Sequence, residues 1–534
     1  MHNSVPGEAD GLSRRAFLTT TAWALAGMAA SRPVRETQAE PRQPKRGGTL
    51  RLATRSDVSG LDIHRNIVYL VSMPLAAITQ GLMDLDMNCE PVPGVAASWE
   101  ASKDLQTYTF ILRKGVLFHN GREVDAEAVK WNFARLQNPK IAHPLSRSAL
   151  ENLKELETVD KYTVRCHLHE PSAAFPADVV YYPCALMAPD SVEKADLHPI
   201  SCGPFKFVSW DRYNITEMAR FEHYFETDSA GNALPYLDSL IGRPKREDRV
   251  RLTSLRAGEV DLIDSMAYDD ATGFTSKYAG MFQTWPVPTL GTSFLLFNLE
   301  TGPFADRNIR LAAAHAVDHE AIKQAVFQGL GDTAKGFYAP ASPWYVENIA
   351  PWPSYDPDKA KFLLKQAKAV GTEILLQASN VYPYMQQTAE LVQAMWTDVG
   401  LKVRYNLYDE VALNQKRRER DFHADSTAAS YRWDPDGWYG RQILSTAPAT
   451  KANSGFHNAQ ADKLIGEARR TADRKKRLEL YGALEGIINE ELPLLYLHHL
   501  TLLQAGSLRV QGYRPAVSGA FSIRGSGLRT AWME

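Results

Sequence analysis

The chain has 534 residues, 44% of them hydrophobic, with a formal net charge of −2. That apolar content suits packed cores and excludes a disordered chain, while one core stops growing at about 250–300 residues, so a single domain is excluded too. Lys+Arg (60) nearly cancel Asp+Glu (62), leaving no global field to draw nucleic acid or an anionic membrane.

The first feature along the chain is an address. Residues 13–18 read Ser-Arg-Arg-Ala-Phe-Leu, and a nearly uncharged stretch runs from Ala16 to Ser31. A basic pair, a short apolar segment and a polar, Pro-containing stretch describe an export signal. Arg14-Arg15, directly before the apolar run and followed by Phe17-Leu18, resembles the bacterial twin-arginine signal, which exports folded proteins. The apolar run falls short of the about 20 residues a membrane span needs. Cleavage is expected after Thr37-Gln38-Ala39, a small-x-small pattern that Ala30 also meets, so residues 1–39 are read as the signal peptide. No Cys lies near it, so no lipid anchor is expected and the location is the periplasm. In that oxidising compartment Cys89, Cys166, Cys184 and Cys202 allow three pairings. Cys184–Cys202 is preferred for its short separation, with buried thiols as the alternative.

Residues 40–48 form a polar Pro/Gly linker, and Thr49–Thr54 alternates as a strand. A second alternating strand is 107–113, and the following 115–121 end in the turn pair Asn120-Gly121. Asp125 is placed to cap a helix whose Val129, Phe133 and Leu136 share one face. Tyr162–Leu168 is a further strand. In the second half Asp306 and Asp318 cap two helices, the second ending at Gly329, and Asp356-Pro357 starts one that ends at Gly371. Glu373–Ala378, Met385–Asp398 and Leu401–Leu407 read as strand, helix and strand, a crossover with a parallel pair, with Val403, Tyr405 and Leu407 on one face. Lys463–Glu491 is helical in pattern. Strands and helices interleave, so the fold class is α/β.

No nucleophile elbow, zinc-protease helix, dinucleotide fingerprint or phosphate loop is present. In Cys166-His167-Leu168-His169 the two histidines share a strand face and the cysteine points away, too few ligands for structural zinc. Asp434-Pro435-Asp436-Gly437 reads as a turn, Asp269-Asp270 as a solvated loop and His498-His499 as a strand end. No catalytic residue, metal site or cofactor is therefore expected.

Several segments together resemble the peptide- and nickel-binding family (family 5, cluster C) of periplasmic solute-binding proteins, which serve ABC importers. They are Arg46–Thr54 with Gly60-Leu61-Asp62, Gly81-Leu82, residues 91–100 and 108–121, and Cys202-Gly203-Pro204-Phe205. Residues 256–262, Phe297-Asn298, 303–312, 355–364 and Trp433-Asp434-Pro435-Asp436 continue the match. The resemblance implies a two-lobed periplasmic-binding-protein fold with hinge strands and an extra subdomain in the first lobe. Lobe I would comprise 47–79, 199–290 and 496–534, the subdomain 80–198 and lobe II 291–495. It implies a monomer that captures a peptide-like or carboxylated small organic solute and delivers it to an ABC permease complex in the inner membrane. A secreted hydrolase with a scattered site, or a periplasmic sensor or chaperone on the same fold, is the alternative.

Peptide-binding members place an Asp a few residues before the Asp-Pro pair to take the peptide's amino terminus; here Tyr431 stands there. Arg432 offers a fork for a carboxylate, or else a salt bridge to Asp434 or Asp436. Tyr431 and Trp433 offer stacking faces. Arg147 lies where nickel-chelate binders place an Arg toward the cleft. Tyr69, after the first strand and loop, and Tyr382, at a strand's C-terminal end, complete the expected ligand-binding set, with packing inside a lobe as the alternative for both.

Overall fold

The computed structural model describes residues 43–66, 73–430, 432–516 and 527–534. The export signal, Tyr69 and Tyr431 lie outside the described residues. No helix among the described residues is long and apolar enough to cross a membrane.

The main sheet has eleven strands, and their order is not chain order. From one edge it runs Lys402–Tyr408, Glu373–Ser379, Ala424–Ala429, Phe282–Phe297, Leu494–Ser507, Leu262–Met266, Thr49–Thr54, Ser239–Pro244, Ile215–Arg220 and Phe205–Asp211. The short Asp332–Thr333 strand pairs beside Leu494–Ser507. The two long central strands pair antiparallel, and their register shifts between Pro288 and Thr292 and again between Ser293 and Phe294. Such irregularities bend a strand and raise its twist. The two halves of the sheet therefore meet at a bent strand pair.

A separate four-stranded antiparallel sheet orders Ala96–Ala101, Thr107–Leu112, Thr163–Leu168 and Leu153–Asp160. Its core holds Phe110, Phe118, Val129, Phe133 and Val164. Asp125 caps the helix Ala126–Gln137 as read from sequence, accepting from the Ala128 amide at 2.8 Å.

The caps of the second half also hold. Asp306, Asp318 and Asp356 each accept an amide of the first helical turn. The expected crossover is present, with Glu373–Ser379 and Lys402–Tyr408 paired in parallel around the helix Pro383–Asp398. Lys402–Tyr408 is the edge strand, so Leu407 is exposed while Val403 and Tyr405 pack inward.

Several readings need correction. The helix from Pro357 stops at Gln366, short of Gly371, because Lys368 already adopts φ 53°. The 463–491 run is two helices, Ala459–Arg469 and Arg474–Glu491, since Asp473 caps a new start. Asp269 and Asp270 lie in the first turn of the helix Tyr268–Lys277, where acids suit the helix dipole. His498 and His499 are buried inside the strand Leu494–Ser507, which continues for eight residues past them to Ser507. The Cys184 sulfur contacts the Asp178 carbonyl (3.6 Å) and the Cys202 sulfur the Gln80 carbonyl (3.9 Å), so the Cys184–Cys202 bridge is not made.

Candidate functional site

Parallel strands of an α/β sheet present ligands at their C-terminal ends. Glu373–Ser379 and Ala424–Ala429 are parallel neighbours, with Ala378 opposite Ser426. Tyr382 follows the first strand and Arg432 the second, so both leave the same edge.

The segment after Ala424–Ala429 is held by an array of long-range bonds. Arg477 grips Asp434 with two hydrogen bonds, 2.7 and 2.6 Å, both side chains being buried. Arg469 takes Asp436 at 2.6 Å. The Tyr338 hydroxyl donates to the Arg432 carbonyl (3.3 Å) and the Trp344 indole to the Trp433 carbonyl (3.1 Å). The Arg474 and Arg477 guanidiniums both lie against the Trp344 ring, 4.8 and 4.9 Å from its centre. The expected alternative for Arg432, a salt bridge to Asp434 or Asp436, is not formed: both acids are engaged elsewhere. Its guanidinium instead reaches the Ser430 hydroxyl at 3.1 Å.

A second wall comes from the four-stranded-sheet segment. Arg441, on the helix Asp436–Gln442, donates to the Ser148 hydroxyl at 3.0 Å. Arg147 is the preceding residue, and its buried Nε has no hydrogen-bond partner among the described residues. Burial holds Arg441 below the usual arginine range, and the Arg432 charge pushes it further down. An arginine under that pressure gains from an arriving anion. Trp433 packs against the cores of both walls, and Cys89 of the 80–198 segment is buried in the core under Trp438 and Tyr439.

Tyr382 is half-buried, its ring centre 5.9 Å from that of Tyr384. Burial raises the Tyr382 phenol, with the Arg55 charge opposing. Arg55 follows Thr49–Thr54 and donates to the Ser265 hydroxyl at 2.7 Å. Among the described residues no cluster of His, Cys, Asp and Glu could hold a metal ion. Cys166 is buried and His167 faces Glu157 at 3.3 Å, an ordinary strand-face pair.

Sequence reading missed Arg55, Tyr338, Trp344, Arg441 and Arg477. Each acts across a large chain separation and carries no local motif.

A family model described as bacterial extracellular solute-binding proteins, family 5 (middle region), matches residues 90–451. The chain belongs to this family. The dipeptide-binding protein of Escherichia coli (strain K12) is 29% identical to this family 5 protein over 459 residues, 79% of this chain and 84% of that one. The glutathione-binding protein GsiB of Salmonella choleraesuis (strain SC-B67) is 28% identical over 466 residues, 84% of this chain and 88% of that one. Among solved structures, AgaA from A. tumefaciens R10 in complex with agropinic acid superposes with a TM-score of 0.77 at 26% identity, covering 91% of this chain and 99% of that one. The fold is the two-lobed one of periplasmic binding proteins, and this family 5 protein is a solute-binding protein.

Proposed function

We propose that this chain is the periplasmic receptor of an ABC importer for a peptide-like or carboxylated small organic solute. The observation that carries the solute class is the Arg432 guanidinium. It follows the strand Ala424–Ala429 and reaches the Ser430 hydroxyl at 3.1 Å. A planar, permanently charged fork in that setting suits a carboxylate. Arg147, Tyr382 and Trp433 are proposed to line the same cleft, and Tyr69 and Tyr431 are proposed to bind solute with them. The AgaA complex with agropinic acid and the dipeptide- and glutathione-binding relatives support this class.

The lobes are proposed at 47–79, 199–290 and 496–534 for lobe I, 80–198 for its extra subdomain and 291–495 for lobe II. The bent strands Phe282–Phe297 and Leu494–Ser507 serve as the hinge between them. Solute touching both lobes favours the closed form, which the permease complex then engages. The protein acts as a monomer of the cluster C type and performs no catalysis. It reaches the periplasm by the twin-arginine route through Arg14 and Arg15, and residues 1–39 are removed.

The test is native mass spectrometry of freshly purified protein to find the retained solute, followed by calorimetry. Arg432→Ala is expected to weaken binding of that solute at least tenfold. Unchanged affinity removes Arg432 from the site, and absence of any bound or titratable solute removes the receptor reading.

A further inference from the structure

Glu485, on the helix Arg474–Glu491, is buried, and the two oxygens of its carboxyl are treated unequally. Oε1 accepts from the Tyr439 hydroxyl at 2.5 Å and from the Phe337 amide at 2.8 Å. Oε2 is buried with no hydrogen-bond partner among the described residues. A Cβ at Gly336 would stand 3.1 Å from Oε1, so the backbone closes over the group. Phenols and an amide face it: Tyr439 from the helix Asp436–Gln442, Tyr496 from the strand Leu494–Ser507 and the Phe337 amide, with Tyr338 and Tyr481 behind Tyr439. On its own helix Arg477 is taken by Asp434. This setting fits the neutral acid, with Oε1 as the carbonyl and the proton on Oε2. The carboxylate would be a buried charge with no cation beside it, which is costly.

The carboxyl is bonded toward two parts of the chain. Phe337 gives its amide to Glu485, its carbonyl accepts from the Thr292 hydroxyl at 2.6 Å, and its ring stacks on Trp438 with centres 4.0 Å apart. Thr292 stands at the register shift of the bent strand pair. Its one proton is given to Phe337, so its oxygen accepts from His499 Nδ1 at 2.9 Å. On the other side, Tyr439 shares its short helix with Arg441, which donates to Ser148 of the 80–198 segment at 3.0 Å. Glu485 therefore links the helix that meets the 80–198 segment to the bent strands. Ionising it would draw water toward Oε2, into a space walled by Phe337, Tyr439 and Tyr496, and the grip on both sides would loosen.

We infer that Glu485 is a positioning residue for solute capture: as the neutral acid it holds the helix Asp436–Gln442 where Arg441 meets Ser148, and on ionising it releases that helix. The inference deepens the receptor reading and rests on it. It adds a regulation, capture that weakens as pH rises. The held arrangement keeps the proton to higher pH than the loosened one, so closing takes up a proton. Affinity therefore falls as pH rises toward 7, the value to which burial pushes the carboxyl from 4.5. At higher pH both arrangements ionise and the fall levels off. His499, lowered by burial to about 3, stays neutral throughout this range.

The experiment follows hydrogen exchange by mass spectrometry in the full mature protein, without added solute, at pH 5.5 and 8.5, with intrinsic rates divided out. From the lower to the higher pH, protection in 436–442 and 334–339 is expected to fall at least tenfold further than in the helix Ala126–Gln137, which serves as reference. Glu485→Gln keeps an oxygen for both donors and is expected to stay protected at both pH values. Tyr439→Phe keeps the ring on Tyr481 but loses the bond, and is expected to be poorly protected at both. Wild-type protection that does not respond to pH overturns the inference, as does a fall that survives in Glu485→Gln. Should Glu485→Gln not fold, a fall that survives in Tyr439→Phe overturns it equally. A second arm follows the solute retained by purified protein in native mass spectrometry. The retained fraction is expected to drop at least fivefold from pH 5.5 to 8.5 in the wild type and to hold in Glu485→Gln. An equal drop in both overturns the role in capture. No retained solute at either pH counts against the receptor reading instead, and the exchange arm then decides alone whether Glu485 holds the helix.

Discussion

Arg477 and Asp434 form a buried, two-bonded ion pair, 2.7 and 2.6 Å, that ties the helix Arg474–Glu491 to the turn after Trp433. Removing one partner leaves the other charge buried and uncompensated, a loss of about 3–5 kcal/mol. Arg477→Ala is therefore expected to lower the urea midpoint sharply. Solute affinity should fall too, because the Arg432–Trp433 segment loses its anchor. Arg477→Met with Asp434→Leu, an apolar replacement of both, should recover most of the stability without restoring affinity. A stable, fully binding Arg477→Ala would remove the pair from this role.

Three of the buried histidines set an acid limit on stability. Burial lowers His64 and His498 to about 4 and His499 to about 3 from the ordinary 6.5. Below pH 6.5 the unfolded chain takes up protons that the native chain refuses. Stability therefore drops as pH falls from 6.5 toward 4, by about 1.4 kcal/mol per pH unit for each histidine. Denaturant titrations across this range measure the slope. His498 stacks on Phe327 with ring centres 3.9 Å apart, so His498→Phe keeps the stack and should flatten the slope. An unchanged slope would exclude His498 from it.

Glu485 works in the opposite direction. Burial pushes it up to about 7, against hydrogen bonds from the Tyr439 hydroxyl (2.5 Å) and the Phe337 amide (2.8 Å). An acid whose native value is raised loses stability as pH rises from 4.5 through 7, where the unfolded chain ionises first. Glu485→Gln keeps an oxygen for both donors and removes the ionisation. It is expected to match the wild type near pH 5 and to exceed it above pH 7, by on the order of 2–3 kcal/mol. Equal melting curves at pH 8 would contradict this.

The contrast between Asp306 and Asp434 shows what a sequence carries. Asp306 caps a helix through a residue two positions away, so its role is local and readable. The parallel pair 373–379 and 402–408 was readable for the same reason, from a periodicity held within forty residues. Arg432 was singled out because the Asp-Pro turn marks its place. Its fate was not readable, because Arg477 and Arg469 lie far along the chain from the acids they take. The break at residues 470–473 was hidden because polar helix formers continue through it.

The last prediction concerns closure. Glu90, in the 80–198 segment, pairs at 2.6 Å with Arg474, whose guanidinium lies against the Trp344 ring. Both side chains keep substantial exposure, 30% for Glu90 and 47% for Arg474, so the pair is solvent-screened. Such pairs contribute about 0.2–1 kcal/mol and weaken with salt. With the lobes divided as proposed, this bond exists only when they are closed. Its loss should then leave the unfolding midpoint unchanged and reduce solute affinity by no more than about fivefold. Glu90→Ala is expected to show that pattern, with a larger radius of gyration in X-ray scattering without solute and a smaller salt dependence of binding. Arg474→Ala should weaken binding more, because it also uncovers Trp344, and the double variant should match Arg474→Ala alone. An affinity loss that adds in the double variant would mean that Glu90 and Arg474 act separately, and that the pair is no clasp.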